Sequence, residues 1–251
     1  MTTKFVDVHC TIGEQQEVPL AVEDLIGIKD EHGITTTVLS PPHQYICVDN
    51  PIGNDIVLSC VKQYPDRFLG YAAVNPWYGH KAVAELDRAL SAGLSGVKLH
   101  PALQGFFPFD RAKMDPLMEV AAHYRAPVYI HTGTPVFAQP LQVAELALCH
   151  PNISFIIGRM GNTDLWIDTP HAYAMADNLY ADTPYTASRN ISRLIEIDSS
   201  RVMFSADLPY SHAGLEKQKI ERMGLDEQQW DNIAYRNFER LFGIANEGGS
   251  I

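Results

Sequence analysis

A chain of 251 residues, 46% hydrophobic and 20% charged, has ample material for a core and fits one large domain. Its net charge of −11, with lysine and arginine scattered singly, argues against a nucleic-acid partner and weakly against anionic membranes. No apolar run approaches the ~20 residues of a membrane span, and the opening MTTKFVDV lacks the apolar stretch of a secretion signal. Four cysteines, at 10, 47, 60 and 149, contain no CxxC pair and predict free thiols in a reducing, cytoplasmic setting.

In chain order, short β-branched or aromatic runs alternate with amphipathic stretches. The strand candidates are 4–9, 35–40, 68–74, 95–100, 127–132, 153–158, 178–183 and 201–207. Helical patterns lie at 21–33, 54–64, 80–93, 111–124, 141–149, 187–197 and 231–244. The weakest segment is 160–177, where Pro170 interrupts a short helix. Strand onsets fall roughly 25–33 residues apart, the size of a βα unit, and recur eight times. This predicts a single (β/α)8 barrel over residues 1–251. An open doubly wound sheet is the competing fold, but it would carry a Gly-rich loop after its first strand, where this chain has CTIGEQQ.

In the first strand, FVDVHCTIG, residues Phe5, Asp7, His9 and Thr11 share one parity, while Val6, Val8, Cys10 and Ile12 share the other. Alternation therefore predicts Asp7 and His9 on one face near the strand's C-terminal end. Other strands end in Lys98 and His100, His131, Arg159, Asp182 and Asp207. A polar residue at one strand end is usually only the start of a loop. Barrel closure, however, brings all eight ends round one mouth, where active sites of this fold sit.

The segments DVHCTIG, YPDRFLGYAAVNP, GVKLHP, YIHTGTP, HPNISFIIGRMG, NLYADTPY, RVMFSADLPY and NFERLFGI resemble, in order, landmarks of the amidohydrolase superfamily. The branch resembled is the amidohydrolase-related one, with aminocarboxymuconate semialdehyde decarboxylase and the resorcylate decarboxylases. The resemblance runs from residue 5 to about 244. It implies a barrel holding one divalent metal, usually zinc, on a His-x-His of the first strand, a His of the fifth and an Asp of the eighth. Matched by position, His9, His131 and Asp207 are the expected metal ligands, with Asp7 a fourth candidate beside the reading of a buried, satisfied carboxylate. Thr11 stands where the second His belongs, and Arg159 where a catalytic His belongs.

Arg159 cannot shed its charge, and a fixed cation raises the cost of binding Zn²⁺ beside it. Two readings stay open: a weakened site that still holds the ion, or a site without metal in which Arg159 balances Asp207 and Asp7. Lys98 is expected either in an ion pair with a nearby carboxylate or on a substrate carboxylate, and His100 orienting a ligand or binding substrate. Cys10 is expected to face the helices, and Cys60 and Cys149 to lie in the core. Cys47 is expected to be a half-buried thiol in the loop 41–51, which also holds His43 and Tyr45. Trp77, Phe106, Phe107, Phe109 and Phe137 are candidates to line the pocket or to pack under the loops.

The resemblance implies a hydrolase or non-oxidative decarboxylase of a small carboxylated substrate, with Asp207 and Arg159 catalytic and Arg159, Lys98 and His100 binding substrate. A homo-oligomer is compatible with this reading. The alternatives are a metal-independent lactonase or sugar-acid isomerase, and a barrel that binds a carboxylated ligand without turnover.

Overall fold

The computed structural model describes residues 4–15, 18–134, 136–162 and 164–244. Eight strands, β1 Phe5–Thr11, β2 Ile34–Ser40, β3 Phe68–Ala73, β4 Gly96–Leu99, β5 Val128–His131, β6 Phe155–Gly158, β7 Leu179–Asp182 and β8 Val202–Met203, lie side by side in sequence order and parallel. The Val8 amide donates to the Phe204 carbonyl at 3.1 Å and the Thr11 amide to the Leu208 carbonyl at 2.8 Å, joining the last strand to the first. This is the (β/α)8 barrel that the eightfold repeat predicts. Among the described residues, no helix is long and apolar enough to cross a membrane.

Two apolar layers hold the barrel. Outside the sheet, Phe5, Cys10, Leu39, Val97, Ile130 and Ile157 join helix residues such as Leu25, Leu86, Leu117 and Leu194 in one buried cluster. Inside, Val6, Val8, Val38, Tyr71, Tyr129, Ile156, Met203 and Phe238 fill the lumen. The two tyrosines fit because small residues face them. A Cβ on Gly96 would lie 2.8 Å from the Tyr71 ring, and one on Gly158 would lie 2.5 Å from the Tyr129 ring.

Several element boundaries depart from the sequence pattern for local reasons. Pro170 does not interrupt a helix. It sits in the first turn of Thr169–Met175, where its missing N–H leaves no bond unmade. The loop after β2 contains a short helix, His43–Cys47, and the next helix, Asn50–Gln63, begins before its apolar pattern does, with a proline in its first turn. The last strand is cut to two residues because the Phe204 amide turns to the Ile233 carbonyl, 3.0 Å away. Cys10 is buried and Cys60 packs half-buried against the core, but Cys149 is exposed at the end of Pro140–Cys149. Among the described residues all four cysteines are free thiols.

The larger correction is in β1. Its pairing with β2 shifts register between Asp7 and Cys10, so the simple alternation fails there. Val6 and Val8 point into the lumen and Phe5 outward, which turns Asp7 toward the helices. There the Lys29 ammonium of the helix Val22–Glu31 donates to Asp7 Oδ2. Asp7 Oδ1 accepts the His9 and Ala206 amides, each at 3.1 Å, filling the gap that the irregularity opens between β1 and the chain beyond β8. Beyond the shift, Cys10 and Ile12 pack outward and His9 turns in to stack on Tyr129 with centroids 4.5 Å apart. Asp7 is thus a structural carboxylate, not a residue of the mouth.

Asp7 and Lys29 are both essentially unexposed, so removing one leaves a buried charge without its partner. Lys29→Met should cost about 3–5 kcal/mol of stability. Adding Asp7→Asn, which retains an oxygen for the two amides, should restore a large part of that loss. Urea unfolding of the two variants beside the parent checks both statements.

Candidate active site at the barrel mouth

The site is built around Asp207, which has no exposed surface. Its Oδ1 meets His9 Nδ1 at 2.8 Å, and its Oδ2 accepts from Arg159 Nε at 2.7 Å and from a terminal guanidinium nitrogen at 2.6 Å. Burial works against the charge of Asp207, but Arg159 and the His9 hydrogen bond outweigh it and hold the carboxyl below the usual carboxylate range. Since the carboxylate accepts a hydrogen bond from His9 Nδ1–H, the proton stays on Nδ1 and Nε2 carries the lone pair. Lys98 Nζ lies 2.8 Å from that Nε2 and 3.9 Å from the centre of the Tyr129 ring. Burial, then Lys98, brings the His9 pKa down to about 3, so the ring is neutral at pH 7. Burial also holds Lys98 well below the ordinary lysine range; Asp207 opposes that shift and Arg159 adds to it.

Arg159 follows β6 in a left-handed conformation and is fixed through its backbone. Its amide donates to Asp182 Oδ1 at 2.5 Å, while the Tyr129 hydroxyl donates to Asp182 Oδ2 at 2.8 Å. Burial and the neighbouring Asp207 push Asp182 up to about 7. The guanidinium packs over Tyr185 at 4.7 Å and Tyr210 at 5.5 Å, and its side chain keeps 19% exposure where Asp207 keeps none. Six non-glycine residues have positive φ among the described residues, and Arg159, Met160, Tyr185 and Asp207 are four of them. Such backbone costs of order 1–3 kcal/mol per residue and persists only where its surroundings enforce it.

Imidazoles form a second wall. His100 and His131 stack with centroids 3.8 Å apart, and His43 meets His100 edge-on at 5.5 Å. Burial is the first cause holding both His100 and His131 well below the ordinary histidine range. His100 Nδ1 accepts the Leu103 amide at 3.3 Å as the cap of the helix Pro101–Gln104. Lys98 makes no ion pair with a carboxylate among the described residues: its nearest neighbours are an imidazole and an aromatic face. The sequence singled out Asp207, His9, His131, Lys98, His100, Arg159 and Asp182 at the strand ends, and these seven do converge. It did not single out Tyr129, Tyr185 or Tyr210. The last two stand in the quoted segments NLYADTPY and RVMFSADLPY, where an aromatic just beyond a strand end was the available signal. The aromatics after β3 to β5 pack mostly with one another: Phe107 lies against Phe109 and Phe137, Phe106 is buried, and Lys113 covers Trp77.

The expected ligand set does not suit a divalent ion. Asp7 faces Lys29, both nitrogens of His9 are engaged, and Asp207 carries a guanidinium. Among the described residues no three His, Cys, Asp or Glu side chains are grouped as a metal site. A zinc centre wants three such donors with their lone pairs free. Here the Lys98 amino group lies against the imidazole lone pair and a guanidinium against the carboxylate, so both donor atoms are taken and a permanent positive charge stands where an ion would have to enter. Thr11, paired with Ser40 across β1 and β2, adds no donor of the kind zinc prefers; neither hydroxyl has a hydrogen-bond partner among the described residues.

The family described as Amidohydrolase matches residues 49–244. The chain belongs to the amidohydrolase family. Gamma-resorcylate decarboxylase of Rhodococcus jostii (strain RHA1) is 25% identical, over 92% of this chain and 90% of its own length. Among solved structures, 5-carboxyvanillate decarboxylase from Sphingomonas paucimobilis superposes with a TM-score of 0.79 at 14% identity, covering 97% of this chain and 100% of its own. Dihydroxybenzoic acid decarboxylase from Polaromonas sp. JS666, solved with bound manganese and the inhibitor 2-nitroresorcinol, superposes with a TM-score of 0.75 at 18% identity, covering 96% of this chain and 97% of its own. The chain thus shares a fold with amidohydrolase-family enzymes, one of them solved with a divalent ion.

If Arg159 and Lys98 oppose the ion, removing them should let it in. Thr11 shares the inward parity of His9 beyond the register shift, so Thr11→His with Arg159→His adds two imidazoles and frees Asp207 Oδ2. Zinc affinity should rise at least ~10-fold, and Lys98→Met, which frees His9 Nε2, should raise it further. Competitive zinc titration checks this, with metal content measured independently; equal affinities in parent and variants would show that these two residues are not what opposes the ion.

Proposed function

We propose that this protein is a metal-independent enzyme acting on a small carboxylic acid, and that its reaction is non-oxidative decarboxylation. The observation that carries the reading is the unbroken chain Arg159–Asp207–His9–Lys98, with contacts of 2.6–2.8 Å across the ends of four strands. Arg159 is the member with exposure and a forked geometry suited to a carboxylate. Its aromatic neighbours Tyr185 and Tyr210 keep the guanidinium in place.

In this reading Asp207 stays ionised and holds the Nδ1 proton of His9. His9 Nε2 then holds Lys98, whose lowered pKa makes its proton easier to give up. Loss of carbon dioxide from a carboxylate leaves an electron pair on carbon. That carbon takes a proton from Lys98, and water reprotonates Lys98, its hydroxide combining with the released carbon dioxide as bicarbonate. Hydrolysis with Asp207 as the base for water has less support, because both of its oxygens are engaged. The decarboxylase relatives are consistent with this choice of reaction.

The test is carbon dioxide release from carboxylated phenols, including 2,6-dihydroxybenzoate and 5-carboxyvanillate, by protein stripped with chelator. Activity that survives stripping supports the reading, and activity that returns only with added metal overturns it. On the substrate so found, Asp207→Asn should lower turnover ~10²-fold or more, since it keeps the shape and removes the charge. Arg159→Gln should mainly raise KM, by roughly 10- to 100-fold, through loss of a charge-assisted contact. An unchanged KM together with lost thermal stability would reduce Arg159 to the structural partner of Asp207.

A further inference from the structure

Glu216 is a buried carboxylate, and the relay above gives it no role. It lies in the first turn of the helix Ala213–Glu221, where an acidic residue favours the helix dipole while staying in water. Glu216 instead keeps only 6% exposure and reaches back to the loops after β7 and β8. Its Oε1 accepts from the Tyr185 amide at 3.2 Å and from the Ser211 hydroxyl at 2.7 Å. Its Oε2 accepts from the Lys219 ammonium, which also donates to the Thr183 carbonyl at 2.8 Å. The lysine offsets the charge, so a carboxylate can be buried where these two loops meet.

What these bonds hold is the tyrosine pair that packs on Arg159. Tyr185 has a φ of +59°, a left-handed conformation that a non-glycine residue keeps only where its surroundings enforce it. Each of its polar groups is tied down. The amide is held by Glu216, the carbonyl accepts from Asn162 Nδ2 at 2.5 Å, and the hydroxyl donates to the Tyr210 carbonyl. The ring so placed has its centre 4.7 Å from the Arg159 guanidinium carbon, and the Tyr210 ring has its centre 5.5 Å away. Asp207 takes one edge of that guanidinium, through Nε and a terminal nitrogen. A change in the Tyr185 backbone therefore reaches Arg159 with no residue in between.

We propose that Glu216 is a positioning residue for Arg159: by joining the Tyr185 amide to Ser211 it closes the β7 and β8 loops on the guanidinium and fixes where a carboxylate is held. The inference rests on the carboxylate-binding reading above and names a group on which that contact depends without touching the substrate.

Two measurements on Glu216→Ala, Glu216→Asp and Glu216→Gln test it. Gln keeps an oxygen for the Tyr185 amide, while Asp keeps the charge against Lys219 but draws back by one methylene. The first measurement needs no ligand. In ¹H–¹⁵N spectra the Arg159 Nε–H resonance, assigned by its loss in Arg159→Gln, carries the ring-current shift of Tyr185. Glu216→Ala and Glu216→Asp should move it toward its position in Tyr185→Leu, and Glu216→Gln should leave it near the parent's. A resonance that neither of the first two moves overturns the proposal. The second is calorimetric titration with benzoate, a carboxylate with no other polar group. Arg159→Gln should weaken binding ~10-fold or more, Glu216→Ala roughly 5- to 10-fold, and Glu216→Gln about twofold or less. Because Glu216 acts through Arg159, adding Glu216→Ala to Arg159→Gln should weaken binding by no more than about twofold further. Additive losses, or parent-like binding by Glu216→Ala, overturn this inference alone. Benzoate binding that is absent from the parent, or indifferent to Arg159→Gln, overturns the carboxylate reading and the proposal with it. Where Glu216→Ala does not fold, Glu216→Asp carries both measurements; loss of folding in all three variants makes Glu216 a structural residue and overturns the proposal.

Discussion

A carboxylate with no exposed surface must have its charge met from within, and the mouth of this barrel is arranged around that requirement. Asp207 is met on one oxygen by His9 and on the other by Arg159. Each partner then constrains a further residue. Fixing the Nδ1 proton of His9 turns its lone pair toward Lys98, so a lysine can sit deep in the barrel with an imidazole and an aromatic face as its nearest neighbours. Fixing Arg159 requires its backbone to turn left-handed after β6, and Asp182 holds that turn by accepting its amide. Asp182 is held in turn by the hydroxyl of Tyr129, the ring that stacks on His9 and lies under Lys98. The contacts close on themselves, and for that reason a strained backbone can persist there.

The rest of the barrel supports this loop from below. Tyr71 and Tyr129 fill the lumen only because Gly96 and Gly158 leave room for their rings, and Tyr71 donates to the Val8 carbonyl just beneath His9. The irregularity in β1 is part of the same construction. It reverses the strand's alternation between Asp7 and Cys10, so a strand that begins by sending its valines inward ends by sending its histidine inward. Asp7 repairs the broken ladder by accepting two backbone amides, and Lys29 neutralises it from the helix side. Two buried acid–base assemblies therefore flank β1. One stabilises the strand's path, and the other forms the candidate site.

The fold was legible because a βα period repeated eight times leaves few architectures, and the strand ends carried polar residues where an apolar run would otherwise continue. Seven residues of the candidate site could be named from their positions at those ends. Asp7 could not be placed on the correct face, since alternation assumes an unbroken ladder and the register shift between Asp7 and Cys10 leaves no mark in the sequence. Pro170 looked like a helix breaker because the sequence does not say on which turn a proline falls. The tyrosines went unmarked for a different reason: Tyr129 reads as one more apolar strand residue, and only the packed lumen reveals its hydroxyl on Asp182. His43 was seen in its loop but given no partner, because Tyr210, whose hydroxyl it meets, lies far from it in the chain.

The departures at Thr11 and Arg159 are best understood together. A metal site supplies positive charge that neutralises a strand-end carboxylate and polarises what binds beside it. In this chain Arg159 neutralises Asp207 directly, and Lys98 occupies the imidazole lone pair that an ion would otherwise claim. A histidine at position 11 would then have no ion to bind and no hydrogen-bond donor facing it, whereas a threonine there adds no further basic group to the site. An arginine at 159 does what a neutral histidine cannot, because its charge is permanent and its planar fork can hold Asp207 on one edge while part of the side chain stays accessible. In the metal-independent reading the arginine supplies the charge, and the threonine stands where a ligand would have no ion to hold.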